Sequence, residues 1–110
     1  MTFDDYQKQA LVTALRSDDE FKDVMHWVLG LNGEAGEVAE KLKKIIRDKN
    51  GEISESDKQE LAKELGDVLW YLAVFAHDLG VSFDDIAATN LKKLSDRKQR
   101  NVLGGSGDNR

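Results

Sequence analysis

The sequence of 110 residues lacks cysteine and proline altogether and contains only two histidines. Without cysteine the protein has neither disulfides nor thiolate metal ligands, and the composition does not suggest export to an oxidising compartment. The first residues lack the cationic and apolar parts of a signal peptide, and no apolar stretch approaches the ~18 residues that a membrane span needs. These absences predict a cytoplasmic protein without a membrane partner.

The charge balance also limits the partners of the chain. Its 21 acidic and 16 basic residues give a formal net charge of −5, which provides no general field to attract a nucleic acid polymer or an anionic membrane. A single nucleotide held through a metal ion is compatible with that charge. The length suits one domain with a small core, so we expect a single domain over residues 1–103 and a flexible glycine-rich tail over residues 104–110.

The absence of proline leaves long stretches in which apolar residues recur every three or four positions. This period predicts an all-α fold with four helices, two of them long. Thr2 with Asp5 and Ser56 with Gln59 resemble capping boxes, and Asn50-Gly51 should end the second helix. The expected helices are 2–16, 20–49, 56–80 and 82–100. Because only a short connection separates the second helix from the third, these two should lie antiparallel at the centre of a bundle.

Two pairs of carboxylates stand at i,i+3 spacing on the two long helices, namely Glu34 with Glu37 and Glu64 with Asp67. This spacing projects both members of a pair from one side of a helix, here at the border of its apolar face. If the two borders face each other, four carboxylates converge, and a hard cation such as Mg²⁺, with Mn²⁺ as a substitute, relieves their repulsion. The alternative is that all four are solvated surface charges, as most acidic residues are.

Glycines accompany both carboxylate pairs. Gly33, Gly36 and Gly66 lie inside the predicted helices, where each costs about 1 kcal/mol relative to alanine unless something needs the space. Gly30 and Gly33 lie on the same side of their helix as the carboxylates. We therefore expect a ligand or a neighbouring helix to approach closely on that side.

The segments GEAGEVAE (33–40) and ELGDVLWY (64–71) resemble the paired signature of the MazG-like all-α nucleoside triphosphate pyrophosphohydrolases, a glutamate-rich half followed by a spacer and Glu-x-x-Asp. The likeness extends over residues 27–97. Gly33 stands where the family pattern often has a further glutamate, which brings the chain closer to the compact, stand-alone members. The last helix contributes three further matching positions, Asn90, Lys93 and Arg97.

The resemblance implies Mg²⁺-dependent hydrolysis of a (d)NTP to a (d)NMP and pyrophosphate, in the service of nucleotide-pool house-cleaning. It also implies a MazG-like four-helix bundle that is completed by oligomerisation, as a homodimer or homotetramer with its sites near the subunit contacts. The implied metal ligands are the four paired carboxylates, Glu34, Glu37, Glu64 and Asp67. Glu37 is the preferred acceptor of a proton from the attacking water.

Candidates for substrate contacts lie on three of the predicted helices. Their alternative roles are an ordinary helix ion pair between Lys41 and Glu37 and a solvated basic face around Lys93. Trp27 belongs to the apolar arc of its helix and is expected in the core. The two histidines, His26 and His77, are too isolated to be metal ligands. The predicted substrate-binding residues are Lys41, Lys44, Tyr71, Asn90, Lys93 and Arg97.

Two rival functions fit the same residues. The first is a noncatalytic helical module that dimerises or binds a partner and uses its acidic stripes to hold a cation. The second is a phosphatase or a diphosphate-cleaving enzyme, which releases orthophosphate and not pyrophosphate. The tail over residues 104–110 allows a further alternative, because its backbone amides and Arg110 could close over bound phosphates as a lid.

Overall fold

The computed structural model describes all 110 residues and contains only helices and connecting segments. None of the helices combines the length and apolarity needed to cross a membrane. The prediction of an all-α, four-helix fold is therefore confirmed. The four helices are α1 (Phe3–Leu11), α2 (Glu20–Lys49), α3 (Glu55–Asp78) and α4 (Phe83–Gln99).

The bounds of α2 agree with the prediction because both of its ends carry strong local signals. The side chain of Asp19 accepts a hydrogen bond from the backbone N–H of Lys22, which caps the first turn. Asn50 ends the helix in the left-handed conformation, with φ of 54°, and Gly51 follows with φ of 79°. The resulting rod of 30 residues is the longest element of the molecule.

Two predicted helix bounds are wrong. α1 ends at Leu11 and not at Arg16. The next residues form turns, in which the backbone N–H groups of Thr13 and Ala14 donate to the carbonyls of Ala10 and Leu11. Arg16 then bonds to Asp78, 62 positions away in sequence. α3 is capped by Ser54 and not by Ser56. Asp57 completes the Ser54 capping box, and its carboxylate lies 2.8 Å from Lys49 Nζ, so an ion pair across the turn accompanies the earlier start.

The core lies between α2 and α3, which run antiparallel, and α1 closes one side of it. Its buried apolar members come from all four helices: Ala10, Trp27, Ala73, Val74, Ala76 and Phe83. Gln7 is buried with them, and its amide nitrogen donates to the carbonyl of Ala73 at 2.9 Å. This bond fixes where α1 crosses α3.

Asp78 fastens the segment after α1 to the end of α3. Its carboxylate accepts hydrogen bonds from Trp27 Nε1 at 2.7 Å and from Arg16 Nη1 at 3.0 Å. Burial raises the pKa of Asp78, but the hydrogen bonds from Arg16, Trp27 and His77 outweigh burial and lower the pKa to about 2. The carboxylate is therefore fully charged and well partnered in the folded protein.

α4 contacts α1 and α3 but not α2. The radius of gyration is 17.0 Å, whereas a compact domain of this length has about 13 Å. Large apolar side chains are exposed along α3 and at its C-cap at a seven-residue interval, with exposed fractions of 58% for Leu65, 39% for Leu72 and 58% for the cap residue Leu79. Much apolar surface therefore lies outside the core of a single chain.

Candidate metal centre

Carboxylates from two helices meet where α2 packs on α3. Glu34, Glu64 and Asp67 each place a carboxylate oxygen within 4.8 Å of the other two. Glu64 and Asp67 are three positions apart on α3 and face α2 together, as their spacing predicts. Glu34 and Glu64 are half-buried, whereas Asp67 is exposed, so solvent reaches the group. We call these three residues the acidic cluster.

The acidic cluster holds more negative charge than its surroundings offset. Burial raises the pKa of Glu34 above its ordinary value, and the neighbouring Asp67, Glu64 and Glu37 raise it further. A divalent cation would reverse this penalty by favouring the charged form of each carboxylate. Because the donors are all carboxylate oxygens, they fit Mg²⁺ or Mn²⁺ better than metals that prefer imidazole or thiolate.

Glu37, the fourth member of the predicted ligand set, lies outside the acidic cluster. It is exposed and sits one helical turn after Glu34. Its charge nevertheless acts on the cluster, since it helps to raise the pKa of Glu34. Its roles as a metal ligand and as the acceptor of a proton stay predictions.

Lys41 is the cation next to the acidic cluster. Its ammonium lies 3.4 Å from Glu64 Oε1 and 3.9 Å from Glu60 Oε2, so its partners are on α3 and not at Glu37, four positions before it. Lys44 pairs within α2, 3.6 Å from Glu40 Oε1. Both lysines line a cleft of about 220 Å³ between α2 and the start of α3. The other charged residues of the cleft are Asp48, Lys49, Asp57 and Glu60, and no member of the acidic cluster lines it.

Tyr71 packs directly on the backbone of α2 at Gly30. A methyl group at position 30 would lie only 2.2 Å from the Tyr71 ring, so no side chain fits there without moving that ring. This contact confirms the expected close approach at Gly30, while at Gly33 and Gly36 the corresponding space is open. Tyr71 is half-buried one turn after Asp67, and its ring therefore borders the acidic cluster.

The remaining rings are not part of the acidic cluster. Trp27 is 1% exposed and belongs to the core, as the apolar period predicts. His26 is exposed and stacks on the Trp27 ring with centroids 4.8 Å apart. His77 is exposed, with Nδ1 3.2 Å from Asp78 Oδ1. Neither histidine joins the cluster.

α1 supplies a neighbour of the acidic cluster that the sequence does not predict. Burial and then the charge of Asp67 raise the pKa of Tyr6, so this phenol is within electrostatic range of the cluster. Tyr6 reaches that position only because α1 crosses α3. No local pattern carries a signal for it.

The predicted substrate-binding residues of α4 lie apart from the helix that carries Glu34. α4 makes no contact with α2. Asn90 is exposed and shares a shallow cleft with Lys93. The Lys93 ammonium lies 3.4 Å from Asp108 Oδ1, and Arg97 is only 5% exposed. Within one chain these cations face the segment that follows α4.

Most of the chain matches a known protein family. Residues 20–102 match the MazG nucleotide pyrophosphohydrolase domain, a segment that contains the whole acidic cluster. The chain belongs to this family. The resemblance of segments 33–40 and 64–71 to the MazG signature is thereby confirmed. MazG domains act on nucleotide substrates and are typically metal-dependent.

Two relatives of this MazG chain carry no assigned activity in their names. The present chain is 45% identical over 114 residues to the Gene 37 protein of Mycobacterium phage L5, and the alignment covers 100% of both chains. It is 39% identical over 69 residues to the uncharacterized protein YvdC of Bacillus subtilis (strain 168), covering 58% of this chain and 65% of the relative. No solved structure matches the chain.

The MazG match begins at residue 20 and therefore excludes α1. Tyr6 accordingly approaches the acidic cluster from outside the matched segment. Residues 103–110 also lie beyond the match, although they contact α4 inside it. Both segments lie within the alignment to the Gene 37 protein of Mycobacterium phage L5, which covers the whole chain.

Proposed function

We propose that the chain is a Mg²⁺-dependent nucleoside triphosphate pyrophosphohydrolase, able to use Mn²⁺ instead, that cleaves a (d)NTP to a (d)NMP and pyrophosphate. One observation carries the proposal: Glu34 from α2 meets Glu64 and Asp67 from α3 within 4.8 Å. Membership of the MazG family supports a nucleotide as the substrate. Cleavage between the α and β phosphates follows from the resemblance to its pyrophosphohydrolases.

Glu34, Glu64 and Asp67 would hold the metal ion. A bound Mg²⁺ supplies positive charge that stabilises phosphate oxygens and favours deprotonation of a nearby water. Glu37, exposed one turn after Glu34, is the acceptor that we assign to the proton of the attacking water. The water oxygen bonds to the α phosphorus, the bond from that phosphorus to the bridging oxygen breaks, and pyrophosphate leaves with the bridging oxygen.

Two groups beside the acidic cluster suit the rest of the substrate. The ammonium of Lys41, 3.4 Å from Glu64, is close enough to contact phosphate oxygens held at the cluster, and Lys44 lines the same cleft. Tyr71 offers a half-buried ring, which is the kind of flat apolar surface that a nucleobase packs against. We assign the lysines to the phosphates and Tyr71 to the base.

We further propose that the active unit is a homodimer or homotetramer. The exposed Leu65, Leu72 and Leu79 of α3 support self-association, because they form an apolar stripe that one chain leaves in solvent. A second copy would also bring Asn90, Lys93 and Arg97 toward an acidic cluster that α4 does not reach through its own α2. Sedimentation velocity tests this proposal, and a monomer at micromolar concentration contradicts it.

The same exposed stripe favours one other function, a noncatalytic module that dimerises or binds a helical partner and holds a cation at its acidic stripes. The two functions separate on product analysis. The enzyme requires metal and substrate to yield pyrophosphate, whereas the module yields no product with any nucleotide.

The test is an assay of the purified protein with Mg²⁺ and a panel of ribo-, deoxyribo- and base-modified nucleoside triphosphates. We expect equimolar pyrophosphate and monophosphate, with no orthophosphate. Orthophosphate alone would establish the phosphatase alternative, and the absence of any product would favour the noncatalytic module. Because nucleoside triphosphates are cytoplasmic metabolites, we place the enzyme in the cytoplasm, and preferred cleavage of modified bases would support a house-cleaning role.

A further inference from the structure

The residues after α4 fold back on that helix as a closed loop, here called the C-terminal loop (residues 101–110). The backbone N–H of Val102 donates to the carbonyl of Arg97 at 2.9 Å, which starts the reversal. Gly105 and Gly107 have φ of 88° and 89°, which only glycine adopts without strain, and they turn the chain back. The loop is therefore a specific conformation built on the end of α4.

Arg110 holds the C-terminal loop closed. Its guanidinium donates to the carbonyls of Val102 at 3.2 Å, Leu103 at 3.0 Å and Gly104 at 2.9 Å, and also to that of Gly107. The carbonyl of Arg110 in turn accepts from Arg100 Nη2 at 2.8 Å. One side chain thus gathers four of the loop's carbonyls, and its removal would leave them without a common donor.

The closed loop covers a guanidinium that it satisfies poorly. Arg97 is 5% exposed, one of its terminal nitrogens donates to the backbone carbonyl of Asp108, and its Nε has no partner. The Asp108 carboxylate stands 3.6 Å from Arg97 and 3.4 Å from Lys93 Nζ. An arginine has five N–H donors and prefers bidentate hydrogen bonds to an oxyanion. In this buried position, part of the hydrogen-bonding capacity of Arg97 is unused.

The carboxylate that faces these two cations is exposed to solvent. The side chain of Asp108 is 86% exposed, whereas that of Arg97 is 6% exposed, so the carboxylate is held mainly by charge and not by packing. A polyphosphate carries several negative charges and many acceptor oxygens. It would therefore satisfy Lys93 and Arg97 better than one surface carboxylate does.

We propose that the C-terminal loop is an internal latch: Asp108 occupies Lys93 and Arg97 in the free protein, and an anionic polyphosphate ligand displaces it and opens the loop. This inference rests on the proposed function in so far as it takes Lys93 and Arg97 to be phosphate contacts. The latch lowers the apparent affinity for the anion, because the ligand must first compete with the chain's own carboxylate. It keeps Arg97 covered and Lys93 paired until a ligand arrives.

The first test is titration calorimetry with inorganic tripolyphosphate in the absence of metal, on the full chain. Asp108→Asn removes the competing charge and keeps the loop length, so it should bind tripolyphosphate roughly threefold to tenfold more tightly than the wild type. The matched control is Asp18→Asn, which removes an equal charge from an exposed residue far along the chain and should change nothing. Equal affinities for the two variants, or no binding to either, overturn the latch.

The second test follows the loop itself by hydrogen exchange of a peptide that spans residues 101–110. Saturating tripolyphosphate should speed exchange of the Val102 amide, and Arg110→Gln should do so without ligand, whereas the equal charge change Lys22→Gln should not. Unchanged or slower exchange with tripolyphosphate contradicts the proposal. Because neither test involves chemistry, the latch can fail while pyrophosphate release succeeds, and the reverse outcome is equally distinguishable.

Discussion

The acidic cluster and the C-terminal loop use charge in opposite ways. In the cluster, Glu34, Glu64 and Asp67 crowd three carboxylates together, with Lys41 as the nearby cation. At the loop, the cations Lys93 and Arg97 are paired with a carboxylate and a carbonyl of the chain itself, and Arg97 is buried there. One region has a single nearby cation for three carboxylates, whereas the other carries its own counter-charge.

This difference indicates how each region responds to a ligand. A carboxylate whose pKa is raised by burial and by its neighbours, as that of Glu34 is, is stabilised by a cation from solution, so binding should add stability. Cations that already have an internal partner exchange one anion for another, so binding should cost the loop its contacts. Substitutions in the acidic cluster, which needs a ligand, should therefore act differently from substitutions of charged groups that already have a partner.

The largest effect is expected from Glu64→Gln, which keeps the size of a cluster residue and removes its charge. Pyrophosphate release should fall by more than the roughly 10- to 100-fold that changing a group behind a metal ligand costs. The matched control is Glu52→Gln, at an exposed position in the α2–α3 connection, which should keep the wild-type rate. Equal rates for the two variants, measured under saturating Mg²⁺, would exclude Glu64 from the reaction.

Asp78 provides the contrast of a carboxylate with partners. Its folded pKa of about 2 lies below the ordinary 3.8, so its contribution to stability is complete above about pH 4 and lost as the pH falls toward 2. The difference amounts to about 2 kcal/mol, which Asp78→Asn should lose at neutral pH. Urea unfolding followed by circular dichroism between pH 2 and 7 measures it, with Asp18→Asn as the control. A variant as acid-sensitive as the wild type would contradict this assignment.

Gly30→Ala tests whether the Tyr71 ring beside the acidic cluster needs the bare backbone of α2. The added methyl would lie 2.2 Å from that ring, and overpacking of about 1–3 kcal/mol should exceed the gain of about 1 kcal/mol in helix propensity. Gly36→Ala, where the space is open, should stabilise the protein by up to about 1 kcal/mol. Urea midpoints that rise in both variants would mean that the ring moves freely.

The smallest effect is expected from Glu34→Gln in the absence of metal. Because the folded pKa of Glu34 is raised, the stability linked to its protonation is present below its ordinary pKa of 4.5 and lost as the pH rises through the folded value. Removing the charge should therefore raise the Tm at neutral pH, opposite in sign to Asp78→Asn. Added Mg²⁺ should raise the Tm of the wild type but not of Glu34→Gln. If Glu34→Gln has a lower Tm than the wild type without metal, the charge of Glu34 has a stabilising partner in the folded protein.

The helices could be predicted from the sequence wherever both ends carry local signals. Asp19 and Asn50 define α2 in this way. The end of α1 could not be predicted from the sequence, because the contact between Arg16 and Asp78 joins distant parts of the chain. Ser54 and Ser56 both precede an acidic or amide residue at the capping distance, and the Lys49 ion pair to Asp57, which accompanies the Ser54 cap, forms only in the folded turn.

In the candidate site, too, some arrangements follow from local spacing and others depend on contacts between distant parts of the chain. The pairing of Glu64 with Asp67 is a property of one helix, and their approach to Glu34 follows from the packing of two long antiparallel helices. Tyr6 depends on the crossing of α1 over α3, and the cover over Arg97 depends on a loop held by Arg110. Spacing alone encodes neither of these long-range arrangements.

The claim that Glu34, Glu64 and Asp67 together bind a divalent cation is tested most directly by titration calorimetry with Mn²⁺ and no nucleotide. The account predicts saturable binding to the wild type and to Glu52→Gln, weakened by roughly tenfold or more in Asp67→Asn. Indistinguishable affinities for Asp67→Asn and the wild type, or no heat of binding to the wild type, would contradict it.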